Sequence, residues 1–413
     1  MQIAFIVAGF PIASETFILN QITGLLQRGH QVDVFAQWRD TGSGPHPDVT
    51  RFRLVERTFY LHVSPHRTAR LLSALDALGR AMSRGQLRIF RALDPRRFGR
   101  QALNLRVLNQ MRPFIGRPAY AVVHCHFGPS GVIGDTVRQL GLTAAPLLTT
   151  FHGYDISSFV RERGPEVYKN LFRDGDAFTC SSQFIRNRLV SAGCPAPRIH
   201  LFKLGTDLKK FSFTARVPDE TGAVRLVTVA RLTEKKGLEY SIRAFAKLAA
   251  RFPLLEYNIV GDGDQRKPLE RLLNGLGLNG RVRLLGWRTD PEVREIYARS
   301  HLFVLSSVEA ANGDIEGQGM VLQEAQAMGL PVVCSRHNGF PEGILENESG
   351  FLVPERDADA LAACLTTLLQ RPGTWPEMGQ RGRAYVEAEY DLEKRNDALV
   401  ALYDELRARR ARP

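Results

Sequence analysis

With 413 residues the chain is about twice what one hydrophobic core usually supports, so two units of roughly 200 residues each are expected. A composition of 44% hydrophobic and 24% charged residues excludes an intrinsically disordered chain and a small disulfide-stapled module. Fifty-five basic against forty-three acidic side chains leave +12, which favours anionic partners: nucleic acid, nucleotide phosphates or an acidic membrane face.

In chain order, Met1 and Gln2 lead into residues 3–8, an apolar run that reads as a first buried strand. No cationic stretch precedes it and no small-residue cleavage site follows, so a cytoplasmic location is expected. Further short β-branched runs lie at 31–36, 121–124, 147–151, 177–180 and 199–204. A second set lies at 224–229, 256–260, 282–285, 302–305, 332–334 and 350–353. Most are followed by a loop and an amphipathic, helix-length stretch, the pattern of a parallel α/β fold. The expected architecture is two doubly wound, Rossmann-like domains at 1–205 and 224–390, joined by an aperiodic linker at 206–223 that carries Pro218 and Gly222. Leu392, Leu399, Leu402, Tyr403 and Leu406 form one stripe of a helix from residue 391, which must pack back across the domains before a basic tail to residue 413. The five cysteines form no Cys-x-x-Cys pair and read as reduced thiols without a ligand role. No run approaches the ~20 apolar residues of a membrane-crossing helix.

Open parallel sheets bind ligands beyond the carboxyl ends of their strands, so chemistry is sought in the loops there. After the 302–305 strand comes Asp314-Ile315-Glu316-Gly317-Gln318-Gly319-Met320-Val321-Leu322-Gln323-Glu324. The glycines open an apolar helix whose first N–H groups can hold a diphosphate, while Glu316 and Glu324 can reach different hydroxyls of one extended ligand. The bland alternative is a capping Glu and a solvated Glu. After the 224–229 strand, Arg231 and Lys236 precede Gly237 and suit neutralisation of a leaving diphosphate, or else form a solvated cationic loop. Asp174-Gly175-Asp176 and Asp262-Gly263-Asp264 could chelate a metal, but both read better as turns, and no metal is expected. His124 and His126 share one strand face with no third ligand in place, so His126 is expected to line a cleft rather than bind zinc. Ser14, Glu15 and Thr16 either cap the first helix or meet an acceptor, and both can hold together. Residues 84–117 hold nine arginines, the first Arg84 and the last Arg117, against one acidic residue, Asp94. With their apolar neighbours they suit an anionic membrane surface or a solvated helical face. No nucleic-acid module is present.

The Glu316/Glu324 pair, the Arg231-Leu232 and Lys236-Gly237 loop and the Ile259-Val260-Gly261-Asp262-Gly263 strand end resemble those of the retaining, nucleotide-sugar-dependent glycosyltransferases of family 4, which adopt the GT-B fold. The segments Phe10 to Asn20 and Thr149 to Asp155, with His152 and Gly153, are most similar to the branch building colanic-acid-type exopolysaccharides. The resemblance implies that Glu316 contacts the donor sugar near the reacting centre and that Glu324 holds the nucleotide ribose. It implies that Arg231 and Lys236 bind the diphosphate, with Gly317, Gly319, Met320 and Val321 at the donor site, and that His152 stands at the cleft. Gly9, expected in the loop after the first strand, would let backbone approach the diphosphate. Ser14, Glu15, Thr16 and His126 fall on the acceptor side. Gln318, where the family often has Phe, and His337-Asn338-Gly339-Phe340-Pro341-Glu342, where Gly-Gly-Ile-Pro-Glu is usual, depart from the pattern.

The expected function is transfer of a hexose, with retention and without a metal cofactor, from a UDP- or GDP-sugar to a saccharide acceptor, free or lipid-linked, on the inner membrane face. Two rivals stay open: a nucleotide-sugar epimerase of similar architecture, which needs no acceptor, and a catalytically silent nucleotide- or polysaccharide-binding subunit.

Overall fold

A computed structural model describes residues 1–12, 14–40 and 46–411. Arg412 and Pro413, the end of the basic tail, lie outside the described residues. The first half forms β1 (Gln2–Gly9), β2 (Gln31–Trp38), β3 (Thr58–Tyr60), β4 (Val122–His126), β5 (Leu147–Phe151), β6 (Ala177–Cys180) and β7 (Ile199–Leu201). The second forms β8 (Val224–Val229), β9 (Leu255–Val260), β10 (Val282–Gly286), β11 (Leu302–Leu305), β12 (Val332–Ser335) and β13 (Gly350–Val353). Ile3 to Val7 and Leu302 to Leu305 are buried throughout, because helices cover both sheet faces and leave no polar side for alternation to mark.

Each set is one wholly parallel sheet, ordered β3-β2-β1-β4-β5-β6-β7 and β10-β9-β8-β11-β12-β13. The order reverses between β1 and β4 and again between β8 and β11, so the loops leaving these four strands frame the ligand-binding positions of two Rossmann-like sheets. β3, three residues at a sheet edge, is too short to show periodicity and is not among the predicted strands. β7 is also shorter than the predicted 199–204 run. The strand stops at Leu201 because Leu204 pairs instead with Gln318 of the second half.

Residues 206–223 form no named helix or strand, yet they are docked on the second half. Phe211 joins its core, and the Arg216 guanidinium, buried, donates to the carbonyls of Ala298 and Met328. The C-terminal helix, Leu392–Ala411, crosses back to the first half. Its Leu399, Leu402, Tyr403 and Leu406 pack with Ile3, Phe5, Val32 and Leu148 on one face of the first sheet.

Candidate active site

The two loops at the β8/β11 reversal are built against each other. Gly237, with φ +56°, ends the turn after β8, and a Cβ there would stand 2.0 Å from the Ser306 carbonyl oxygen at the start of the loop after β11. Only glycine permits that approach. It brings Lys236 onto Glu316, where the ammonium forms an ion pair with Oε2, while neighbouring Lys235 bonds Asp314 at 3.0 Å and the Ile315 carbonyl at 3.2 Å. Burial alone would raise the Glu316 carboxyl, but Lys236 and Lys235 outweigh it and draw the carboxyl down to about 2. Burial lowers the Lys236 ammonium, against the pull of Glu316. Glu316 is therefore a fixed carboxylate.

Its main chain is held from the other side by the dipeptide in which the sequence departs from the family pattern. The Glu316 N–H donates to His337 Nε2 at 3.1 Å, and the Asn338 side-chain amide donates to the Glu316 carbonyl at 3.1 Å. Because Nε2 accepts, the His337 proton resides on Nδ1, which meets Glu355 Oε1 at 2.5 Å. Gln318, the other departure, is buried and joins the halves. Its Oε1 accepts from the Leu204 N–H at 2.7 Å, and its Nε2 donates to the Leu204 carbonyl at 3.0 Å.

Across the cleft, Ile315 sits in the hydrophobic core of the first half, and a Cβ on Gly317 would lie 2.1 Å from the His152 carbonyl oxygen. The backbone of the Glu316 loop thus rests on the His152–Gly153 peptide. His152 is packed among Phe17 and Phe127 and stacks on His126, whose Nδ1 lies 3.1 Å from His152 Nε2. His126 itself is fully buried. It does not line the cleft as the sequence reading expected, because β4 carries it beneath His152. His124 continues inward to Thr150 at 2.7 Å and to the Tyr403 hydroxyl at 2.6 Å. Burial holds all three imidazoles below their ordinary values, with His124 and His152 at about 3, so the column is neutral.

Gly9 also differs from expectation. It closes β1 rather than a loop, and the space a Cβ would take is filled by the Trp38 indole at 2.7 Å, not left open to a phosphate. Glu15 occupies the N-cap of the helix Thr16–Gln27 without capping it through its side chain. The carboxyl is raised to about 7 by burial, with Arg231 of the opposite half opposing that rise. Arg231 is exposed, as is Ser14, while Thr16 is half-buried.

Met320 and Val321 open the helix Met320–Ala327 behind Gly319, whose φ of +70° and lack of a side chain leave the first N–H groups without a side-chain cap. Glu324 lies one turn further, its Oε2 accepting from the buried Tyr297 hydroxyl at 3.3 Å. Burial, then the charge of Asp290, raise it to about 7. One Asp-x-Asp turn is spent on structure: Asp176 bonds Arg138, Arg410 and the Leu147 N–H, and Asp174 pairs with Arg173. Among the described residues no cluster of three His, Cys, Asp or Glu could hold a metal.

Residues 14–210 match the model of Glycosyltransferase Family 4, and residues 213–385 that of Glycosyl transferases group 1. The putative colanic acid biosynthesis glycosyltransferase WcaL of Escherichia coli (strain K12) is 34% identical over 411 residues, 98% of this chain and 100% of that protein. The chain belongs to the family 4 glycosyltransferases. The amylovoran biosynthesis glycosyltransferase AmsK of Erwinia amylovora is 34% identical over 399 residues, 95% of this chain and 96% of its own. Anabaena HepE, solved in complex with UDP and glucose and in complex with UDP-glucose, shares the fold with TM-scores of 0.71 and 0.72 at 18% identity, covering 98% of this chain and 100% of that one. The glycosyltransferase therefore has the GT-B architecture.

Proposed function

We propose that this glycosyltransferase moves a hexose from a nucleoside diphosphate sugar to a saccharide acceptor, free or lipid-linked, during exopolysaccharide assembly, with retention at the anomeric carbon. The observation that carries the reading is the Glu316–Lys236 pair, held at the β8/β11 reversal and facing His152 of the first half. The exopolysaccharide assignment leans on WcaL and AmsK, and a UDP- or GDP-linked donor on the chemistry of the loops together with the UDP-glucose complex of HepE.

The diphosphate would sit on the uncapped N–H groups of Met320 and Val321, with Arg231 and Lys236 meeting the charge that grows on it as the glycosidic bond breaks. Drawing Lys236 towards phosphate frees the Glu316 carboxylate for the donor sugar. Glu324 would receive the ribose hydroxyls. The acceptor would enter from the Glu15 and His152 side and attack on the face from which the diphosphate leaves, passing its hydroxyl proton to a departing phosphate oxygen. Protein cations supply the counter-charge, so turnover should survive chelation of divalent metals. A lipid-linked acceptor would bring the enzyme to an anionic membrane through residues 84–117.

Thermal unfolding against a panel of nucleotides and nucleotide sugars tests the donor, because a ligand that binds only the folded state raises the midpoint. A shift with UDP or GDP that grows with one sugar conjugate supports the reading, and the anomeric configuration of the product, read by NMR, decides retention. Glu316→Ala should lower transfer by roughly 10²–10³-fold with nucleotide binding retained, and Lys236→Ala should weaken both. Parental transfer by Glu316→Ala would refute the site. Nucleotide binding without transfer to any acceptor would favour the silent subunit.

A further inference from the structure

The helix Arg67–Ser83 is packed the unusual way round. Its buried face is Arg70, Ala74, Ala77 and Ala81, with Leu78 half-buried against the core beside them, whereas Leu71, Leu72, Leu75 and Met82 point outward and are 52%, 68%, 58% and 58% exposed. Leu71, Leu75 and Met82 are spaced by four and seven residues and so make one stripe along the helix. The short helical turns that follow pack on it and expose Leu87 and Phe90. A helix stabilised only by its own domain would bury the leucines and present polar groups to water.

The charge around the stripe has one sign. Residues 67–117 hold twelve arginines against two aspartates, most of the chain's formal +12. Both aspartates are used locally: Asp76 pairs with Arg80 at 2.9 Å and Arg112 at 3.0 Å, and Asp94 caps the turn at Arg96. Arg67, Arg84, Arg88 and Arg91 are exposed. A second copy of the chain on this face would set like charges against each other, and nucleic acid has no use for a row of exposed leucines. An anionic lipid surface satisfies both features, taking the side chains of the stripe among its acyl chains and the guanidinium groups at its phosphates.

We propose that the outward face of the Arg67–Ser83 helix inserts into an anionic leaflet, with the arginines of residues 84–117 as the electrostatic fringe rather than the whole contact. The inference deepens the membrane reading given under the proposed function and rests on it. The same segment also lines, through Arg96, Arg97, Phe98 and Gln101, a pocket of about 830 Å³ closed on its other side by the helix Gly128–Gln139.

The test is co-sedimentation of the full chain with vesicles of phosphatidylglycerol and phosphatidylcholine, and with phosphatidylcholine alone, at low and high salt. The parent should partition onto the anionic vesicles. The triple variant Leu71→Gln, Leu72→Gln and Leu75→Gln should partition at least tenfold more weakly, with its remainder lost in salt. A Leu72→Trp variant should shift its emission to the blue and be quenched by brominated acyl chains, beyond any change in the parent, which keeps the inference testable if the triple variant folds poorly. Parental binding by the triple variant with no quenching of Leu72→Trp would overturn insertion and leave an electrostatic contact. No binding by the parent would overturn the membrane reading as well, and a parent dimer dispersed by the triple variant would assign the face to a second copy. Glu316→Ala should bind vesicles like the parent, so failure of the catalytic assignment is read separately.

Discussion

Glu316 and Glu324 are two carboxylates under one ligand-binding position, and their neighbours set them apart. Lys236 and Lys235 hold the first at about 2, while burial beside Asp290 holds the second at about 7. If Glu324 holds the ribose as proposed, the hydroxyls donate to its ionised carboxylate better than to the protonated one, so nucleotide affinity should fall as pH drops through about 7, by up to tenfold per unit. Glu15 titrates in the same range, and Glu324→Gln separates the two by flattening only the Glu324 contribution in calorimetric titrations. The same shift bears on stability. The folded state holds this proton more tightly than the unfolded chain, so its penalty appears as pH rises from 4.5 to about 7 and is constant above. Glu324→Gln should therefore resist urea better than the parent at pH 8, by up to about 3 kcal/mol, and no better near pH 4. His337 acts through Glu316. His337→Phe removes the acceptor of the Glu316 N–H, while Glu355 keeps the Glu309 N–H, and should lower kcat by about tenfold with little change in donor KM, one hydrogen bond's worth of positioning. His337→Gln, which can still accept, should recover part of the loss in the same assay.

At the scale of elements, the decisive piece is the loop between β11 and the Met320–Ala327 helix, which belongs to one half but is anchored in both. Ile315 is buried in the opposite core, Gly317 lies on the His152 carbonyl, and Gln318 pairs with both backbone groups of Leu204. Gly317→Ala must push backbone against backbone, so it should separate Glu316 from His152 and lower transfer by about 10²-fold while nucleotide still binds to the second half. Stopped-flow nucleotide binding and transfer assays on the same preparation check it. The alternation of strands and helices, the glycines and the Glu316, Arg231 and Lys236 motifs were readable in the sequence because they are local patterns. The role of His337, Asn338 and Gln318 was not. Their spacing from Glu316 and Leu204 carries no periodic signal, although their departure from the family motif marked the places to look.

For the molecule as a whole, the C-terminal helix decides whether the halves remain one body. Tyr390 and Asp391 pair with Thr206, and the helix then lays Leu399, Leu402, Tyr403 and Leu406 on the first sheet, where the Tyr403 hydroxyl meets His124. Tyr403→Phe leaves that imidazole nitrogen buried and unpaired, and should lower unfolding stability by about 1–3 kcal/mol in denaturant titrations without altering nucleotide binding. The sequence by itself determined two parallel α/β halves and the carboxylates, cations and glycines of the candidate site, because burial on both sheet faces and tight loops impose local patterns on the chain. Only the tertiary structure decided that His126 lies beneath His152, that Trp38 covers Gly9, and that the Arg67–Ser83 helix turns its leucines outward. Which face of a strand or helix is covered depends on elements far away in the chain, and that information resides in their packing rather than in any one segment.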